Sequence, residues 1–223
     1  MVREAALTLN YGAPFGYLFK DKNWFKKFAI ASLLTYTLIG AAPIFGWMIE
    51  IVRQVARGEE PVIPEIKDWK TFWKPGSQFA FVNVVWLLPV VVAVIVSYLP
   101  LIFLNALNTE EMFVFVWGIT IFCVLAFLLV FSIVYMFLVP AILVVLAETS
   151  SSWQAANPVQ LWKTVRPQFI KYLIVFLIVG VALFNVTLIA AALTLFLLLP
   201  PMLVYTGLVT AHYAGQLARM RNP

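Results

Sequence analysis

The sequence holds one cysteine, one histidine and ten acidic residues, and each scarcity removes a class of protein. A lone thiol, Cys123 in the middle of an apolar run, can build neither a disulfide framework nor a thiolate metal site within one chain. Charged residues make up 11%, against roughly a quarter in soluble domains, so a separate water-soluble domain is excluded. No Asp, Glu, Lys or Arg lies centrally in any apolar stretch. That argues against a proton relay, an acidic ion-coupling site or a carboxylate hydrolase. The longest polar connection, Gly58 to Gly76, contains no glycine-rich phosphate loop, no HExxH, no paired Cys and no Ser/His/Asp set. Nucleotide hydrolysis and metalloprotease chemistry therefore have no support. No Ser/Gly linker or polar block of domain size interrupts the chain, so residues 1–223 form one membrane domain. Met1 to Asn10 carries Arg3 and Glu4 with no adjacent apolar core, and no removable signal peptide is expected.

What is present is apolar sequence, 63% of the chain, divided by basic clusters. All fifteen Lys and Arg fall at 3–27, 53–74, 163–171 and 219–221. They flank the apolar runs and mix with Trp and Phe, which points the net charge of +5 at anionic lipid headgroups rather than nucleic acid. A bilayer core of about 30 Å takes about 20 helical residues. Four charge-free stretches exceed that: Phe28–Ile49, Pro75–Thr109, Met112–Ala147 and Tyr172–Ala218. The last is long enough for two spans, with a turn expected near Asn185 to Thr187. Pro89 is expected to kink a span from about Phe79 to Leu104. Pro140 is expected to leave Ala141 to Glu148 as a separate helical piece.

The link Asn105 to Glu111 has two Glu and no basic residue, as an outer-face loop would, and Asn108 with Glu111 reads as a helix start. If Phe28–Ile49 crossed completely, the cluster at 53–74 would land opposite the one at 3–27. If it enters and returns, every cluster is cytoplasmic. Gly40, Ala41, Ala42, Pro43 and Gly46 supply a break at its midpoint. The expected architecture is all-α and polytopic, with about four full spans, a re-entrant or interfacial N-terminal hairpin, and cytoplasmic amphipathic helices. Both termini are expected in the cytoplasm and the protein in the cell inner membrane. Three aromatic–lysine entries, Leu18-Phe19-Lys20, Phe72-Trp73-Lys74 and Leu161-Trp162-Lys163, read as approach helices at the headgroups or as a degenerate repeat.

Tyr17-Leu18-Phe19-Lys20-Asp21-Lys22-Asn23-Trp24 with Lys26-Lys27 resembles the opening of the DUF4013 family of uncharacterised prokaryotic membrane proteins. So do Gly46-Trp47, Arg53, Arg57-Gly58-Glu59-Glu60, Pro64-Glu65, Asp68-Trp69, Phe72 and Gly76. Gly207 with Ala211-His212-Tyr213 and Gly215-Gln216 is similar to that family's C-terminal signature. The resemblance implies a polytopic membrane protein and transfers no catalytic residue.

The candidate site residues are few. His212, near Thr210, Tyr213 and Gln216, suits a hydrogen bond between helices, ligation of a haem or pigment, or a substrate contact. Gly207, Ala211 and Gly215 recur every four residues, a stripe that lets another helix approach, either within the chain or from a neighbouring subunit. Glu50, beside Arg53 and Gln54, reads as an interfacial ion pair. Asn83, Asn185 and Thr187, with broken helices at Pro43, Pro89 and Pro200-Pro201, are the possible solute contacts of a transporter. With no catalytic set, the expected role is non-enzymatic: an integral subunit or scaffold of a larger membrane assembly, with other membrane subunits or copies of itself as partners. The alternative is a permease-like transporter of a small neutral or lipid-like solute. No cofactor is expected.

Overall fold

The computed structural model describes residues 8–65, 68–106 and 110–221, and among them every regular element is helical. The expected helix start at Asn108 and most of Met1 to Asn10 lie outside the described residues. Two short turns come first, α1 (Ala13–Gly16) and a 3-10 turn at Tyr17–Lys20. The Asp21 carboxylate accepts from the Asn23 N–H at 2.8 Å, a local turn that launches α2 (Trp24–Thr35). Thr37 then caps α3 (Leu38–Ala56), its hydroxyl accepting from the Gly40 N–H at 3.0 Å.

Residues 28–49 therefore form two helical arms, but the break falls at Tyr36–Thr37 and not at Gly40 to Gly46. The threonine cap sets the boundary, and Pro43 sits inside α3. The glycines serve a crossing instead. A Cβ on Gly46 would come within 2.1 Å of the Phe72 carbonyl oxygen, and one on Gly76 within 1.7 Å of the Ala42 oxygen. Only bare backbone fits where α3 meets α4 (Trp69–Ala106).

Phe72-Trp73-Lys74 is not a separate approach helix but part of the opening of α4, which runs unbroken through Pro75, Pro89 and Pro100. α5 (Glu110–Thr149) likewise continues through Pro140. Ala141–Glu148 is no detached piece: Ala141 to Leu146 are buried, and that packing holds the helix across the missing N–H. α5 ends at Ser150, φ 51°. There Arg53 donates to the Ala147 oxygen (3.1 Å) and the Ser150 hydroxyl (3.0 Å), and Gln78 donates to the Ser150 oxygen (2.6 Å). Side chains thus take up the carbonyls a helix end leaves open.

Ser151 and Asn157 cap α6 (Ser152–Ala156) and α7 (Pro158–Val165). α7 buries Leu161, Thr164 and Val165 and exposes Trp162. α8 (Phe169–Val175), a π-helical segment at Phe176–Leu183 and α9 (Phe184–Leu193) make one helical run. No turn forms at Asn185 to Thr187, because those side chains bond back onto their own helix. Asn185 donates to the Val181 oxygen (2.7 Å) and Thr187 to the Leu183 oxygen (2.9 Å). The reversal comes at 194–198, ahead of Pro200-Pro201, which fit only the first turn of α10 (Leu199–Arg221).

The chain divides into two compact units, one of the described residues up to Val82 with those from Phe137 on, the other Asn83–Met136. In the first, α3 and α10 lie side by side and run the same way, Gly207 against Met48 and Gly215 against Val55. Trp47, Ile49, Ile51, Val52, Leu208, Tyr213 and Leu217 form its centre. In the second, the Tyr135 hydroxyl donates to Asn83, and Phe127, Phe131 and Tyr135 stack, with Trp86 tilted against the last two. Among the described residues three helical stretches are long and apolar enough to cross a membrane, Trp69–Pro100, Val114–Thr149 and Pro158–Leu193, and they mark a membrane protein.

Candidate functional site

α10, from Tyr205 to Gln216, is stitched to the segment that precedes α2. Tyr17 donates to the Leu208 oxygen (3.2 Å), Tyr213 to the Tyr11 oxygen (2.8 Å) and Tyr205 to the Phe15 oxygen (3.4 Å). Gln216 makes a reciprocal pair with the Asn10 backbone: its Oε1 accepts from the Asn10 N–H at 2.8 Å, and its Nε2 donates to the Asn10 oxygen at 3.1 Å. A backbone N–H can only donate, so this pair fixes which end of the amide is which.

That assignment settles the histidine. Gln216 Nε2 lies 3.1 Å from His212 Nδ1 and arrives as a donor, so Nδ1 accepts and the proton of the neutral ring sits on Nε2. His212 is 6% exposed, with the Tyr17 ring 4.9 Å away centre to centre. The ring lines a cavity of about 240 Å³ together with Asn10, Glu59, Gln216 and Arg219. Small-molecule sites run to roughly 300–1,000 Å³. A small polar group fits this space.

The Arg219 guanidinium lies over Gly58, where a Cβ would meet its carbon at 3.0 Å. Gly58 has φ +78°, a left-handed conformation that glycine adopts freely, so the residue both turns the chain and leaves room for the guanidinium. Glu59 is occupied by Arg57, whose Nε and Nη2 reach its two oxygens at 2.7 and 2.9 Å. This fork holds the Glu59 carboxyl below its usual range. Lys20 pairs with Glu60 and holds that carboxyl down as well.

A second polar cluster lies at the start of α2. Lys27, 4% exposed, donates to Asp21 (2.7 Å) and the Ile63 oxygen (2.8 Å) and pairs with Glu65 at 2.9 Å. Burial works against both charges, but the hydrogen bonds outweigh it. They keep the Asp21 carboxyl below its ordinary range and the Lys27 amine above its own. With three acceptors for three N–H bonds, Lys27 is a latch that ties the segment Glu59–Glu65 to α2. Two further cavities, about 520 and 470 Å³, flank it on either side.

Glu50 lies 3.7 Å from Arg53 and 3.6 Å from Arg57, an ion pair at the end of α3. The stripe Gly207, Ala211, Gly215 meets α3 within the chain, where a Cβ on Gly215 would strike Val55 Cβ at 2.5 Å. Asn83 pairs with Tyr135, Asn185 with its own helix, and Thr187 with the Thr206 hydroxyl at 3.2 Å. Among the described residues no group of three His, Cys, Asp or Glu could hold a metal ion. Sequence reasoning missed Asn10, the buried state of Lys27, and Arg219 as a cavity residue. The 212, 216, 219 spacing marks one helix face and was a usable signal for the last. A family model described as "Protein of unknown function (DUF4013)" matches residues 29–195. The match takes in the segment from Gly46 to Gly76 but not Tyr17–Lys27 or Gly207–Gln216. No curated protein and no solved structure matches the chain.

Proposed function

The chain belongs to the DUF4013 family, and we propose that it serves as a non-catalytic integral subunit or scaffold in a larger membrane assembly, with other spans or copies of itself as neighbours. The observation that carries this is the bareness of its long helices. In the apolar window of Val114–Thr149, 0% is buried within the protein, so whole helix faces remain for lipid and for partner helices. Its polar groups are meanwhile spent on internal latches, as at Lys27 and Arg57. Purification in a gentle detergent with mass spectrometry of what co-elutes tests the reading. A monomer with no stoichiometric companion overturns it.

One observation favours the alternative of a permease-like protein for a small neutral or lipid-like solute. Asn83 and Tyr135 form a polar pair amid apolar sequence, next to Trp86, whose Nε1 is buried without a partner. Solute-dependent uptake into proteoliposomes, lost in Asn83→Leu, would move the balance to that reading.

For topology, the reading is a cell inner membrane protein with cytoplasmic termini, α10 as a fourth span, and α2–α3 as a hairpin that enters and returns. The Tyr36–Thr37 break supports it, as does the Lys27–Glu65 pair, which ties the start of α2 to the segment that follows α3. In a Cys123→Ser background, single cysteines at Asn23, Lys67, Asn108, Gln160 and Asn222 report sidedness. Only position 108 should react with an impermeant thiol reagent on intact cells. Labelling at 67 but not at 23 would mean a complete crossing by Phe28–Ile49.

A further inference from the structure

The cavity beside His212 has a chemistry that neither reading above uses. Its donors are unspent. Nδ1 of His212 is taken by Gln216, which leaves Nε2–H to offer. The Asn10 side-chain oxygen accepts from the Gly12 and Ala13 N–H groups at 3.2 and 3.0 Å, which aligns the side chain and leaves its NH2 free. Arg219 has no acidic partner among the described residues and lies over Gly58. The one carboxylate on the wall, Glu59, is neutralised by the two-pronged contact from Arg57. Lys20, the other cation whose field reaches His212, is balanced by Glu60. What remains is one uncompensated guanidinium and two neutral donors around a space of about 240 Å³, where a single water needs roughly 10–15 Å³.

We propose that this cavity is an oxyanion site that takes a phosphate group, with Arg219 as the charged ligand and His212 Nε2–H and the Asn10 NH2 as neutral donors. A guanidinium pairs with two phosphate oxygens at once, and charge-assisted bonds of this kind are the strong ones. The histidine contributes as a neutral donor, a state its bond from Gln216 already selects. The phosphate can belong to an anionic lipid headgroup or be free in solution. The proposal is independent of the assembly reading, for it concerns a site within one chain.

The test uses the full-length protein in an uncharged maltoside detergent and reads the thermal midpoint during two titrations. One uses sodium phosphate against sodium chloride at matched ionic strength, the other dihexanoylphosphatidylglycerol. A saturable rise with the lipid alone assigns the site to headgroups, and a rise with phosphate as well assigns it to the oxyanion itself. Arg219→Gln should raise the half-saturating concentration by about tenfold or more, the loss expected for a charge-assisted bond. Its own midpoint without ligand should hardly move, because Arg219 is exposed. Asn10→Asp keeps the oxygen that Gly12 and Ala13 need but adds a negative charge, and should weaken the same titration. A response that is no greater than chloride, or identical in wild type and Arg219→Gln, overturns the proposal whatever the state of assembly.

Discussion

Leu125 and Leu143 lie on the same helix, α5, in stretches of similar hydropathy, yet one is 59% exposed and the other 0%. The first belongs to Asn83–Met136, the second to the unit built around α3 and α10. In water such exposure would be costly, but lipid tails are as apolar as leucine, so a membrane helix gains nothing by hiding leucines from them. Apolarity therefore does not report where the protein core lies. The core is distinguished by other devices: glycines at backbone crossings, helix ends closed by Arg53 and Gln78, and ionic latches such as Lys27 with Asp21. In Asn83–Met136 the serines bond only to their own helix, Ser97 to the Val94 oxygen and Ser132 to the Leu129 oxygen.

The contrast is broken most severely at the α3–α4 crossing. Gly76→Leu would drive side-chain atoms into the Ala42 carbonyl and should cost more than about 3 kcal/mol, seen as loss of the folded peak in detergent size exclusion. Gly118→Leu should leave that peak intact, since a Cβ there meets nothing within 4 Å. A folded Gly76→Leu would show that the crossing is not required.

Leu143→Ala should come next, at about 2–5 kcal/mol for a buried cavity, whereas Leu125→Ala should stay within about 0.5 kcal/mol. Equal effects in thermal unfolding would erase the distinction between the two units.

The latch sharpens the contrast through pH. Lys27→Met leaves the Asp21 carboxylate and the Ile63 oxygen without their partner, at a cost of about 3 kcal/mol. Because the folded Asp21 carboxyl is lowered, its contribution is complete above its unfolded value of about 3.9 and is lost as pH falls through the folded one. Because the Lys27 amine is raised, its contribution holds below about 10.4 and is lost as pH rises through its folded value. Asp21→Asn should shrink the acid limb of the stability profile, leaving the part due to Glu59 and Glu60, and should shift the alkaline limb toward neutral pH.

The smallest effect is expected at Arg221, which reaches both Glu148 and the Thr164 hydroxyl near the surface. Arg221→Gln should cost only about 0.5–1 kcal/mol and should fade with added salt.

Much of this was legible in the sequence wherever one residue type decides the matter locally. The helical, membrane-spanning character follows from the length of the charge-free runs, whereas the two arms within 28–49 divide at the Thr37 cap and not at the glycine–proline stretch where a break was expected. The details failed where a local rule met tertiary packing. Pro140 breaks a helix in isolation, but the buried stretch Ala141 to Leu146 overrides it. Asn185 and Thr187 read as a turn because polar groups interrupt an apolar run, yet both are content on their own helix. Lys27 looked like one more headgroup cation, and nothing nearby in sequence tells that its partners include Ile63 and Glu65. His212 drew attention by its rarity, whereas its geometry depends on Asn10, almost the length of the chain away.

That last separation bears on how the protein is made. Asn10 and Gln216 are 206 residues apart, and Tyr11 and Tyr213 are 202 apart. α10 is the last of the described helices to leave the ribosome, and it supplies the surface against which the first ones close. Until it arrives, the faces of α3 around Met48, Val52 and Val55 have no permanent neighbour, and the segment before α2 has nothing to be stitched to. Insertion and compaction are therefore separate in time: the α3–α4 crossing can close as soon as both helices exist, while the α3 face around Met48, Val52 and Val55 waits for α10. A ribosome stalled before α10 would present a chain whose α3 face, around Met48, Val52 and Val55, is still open.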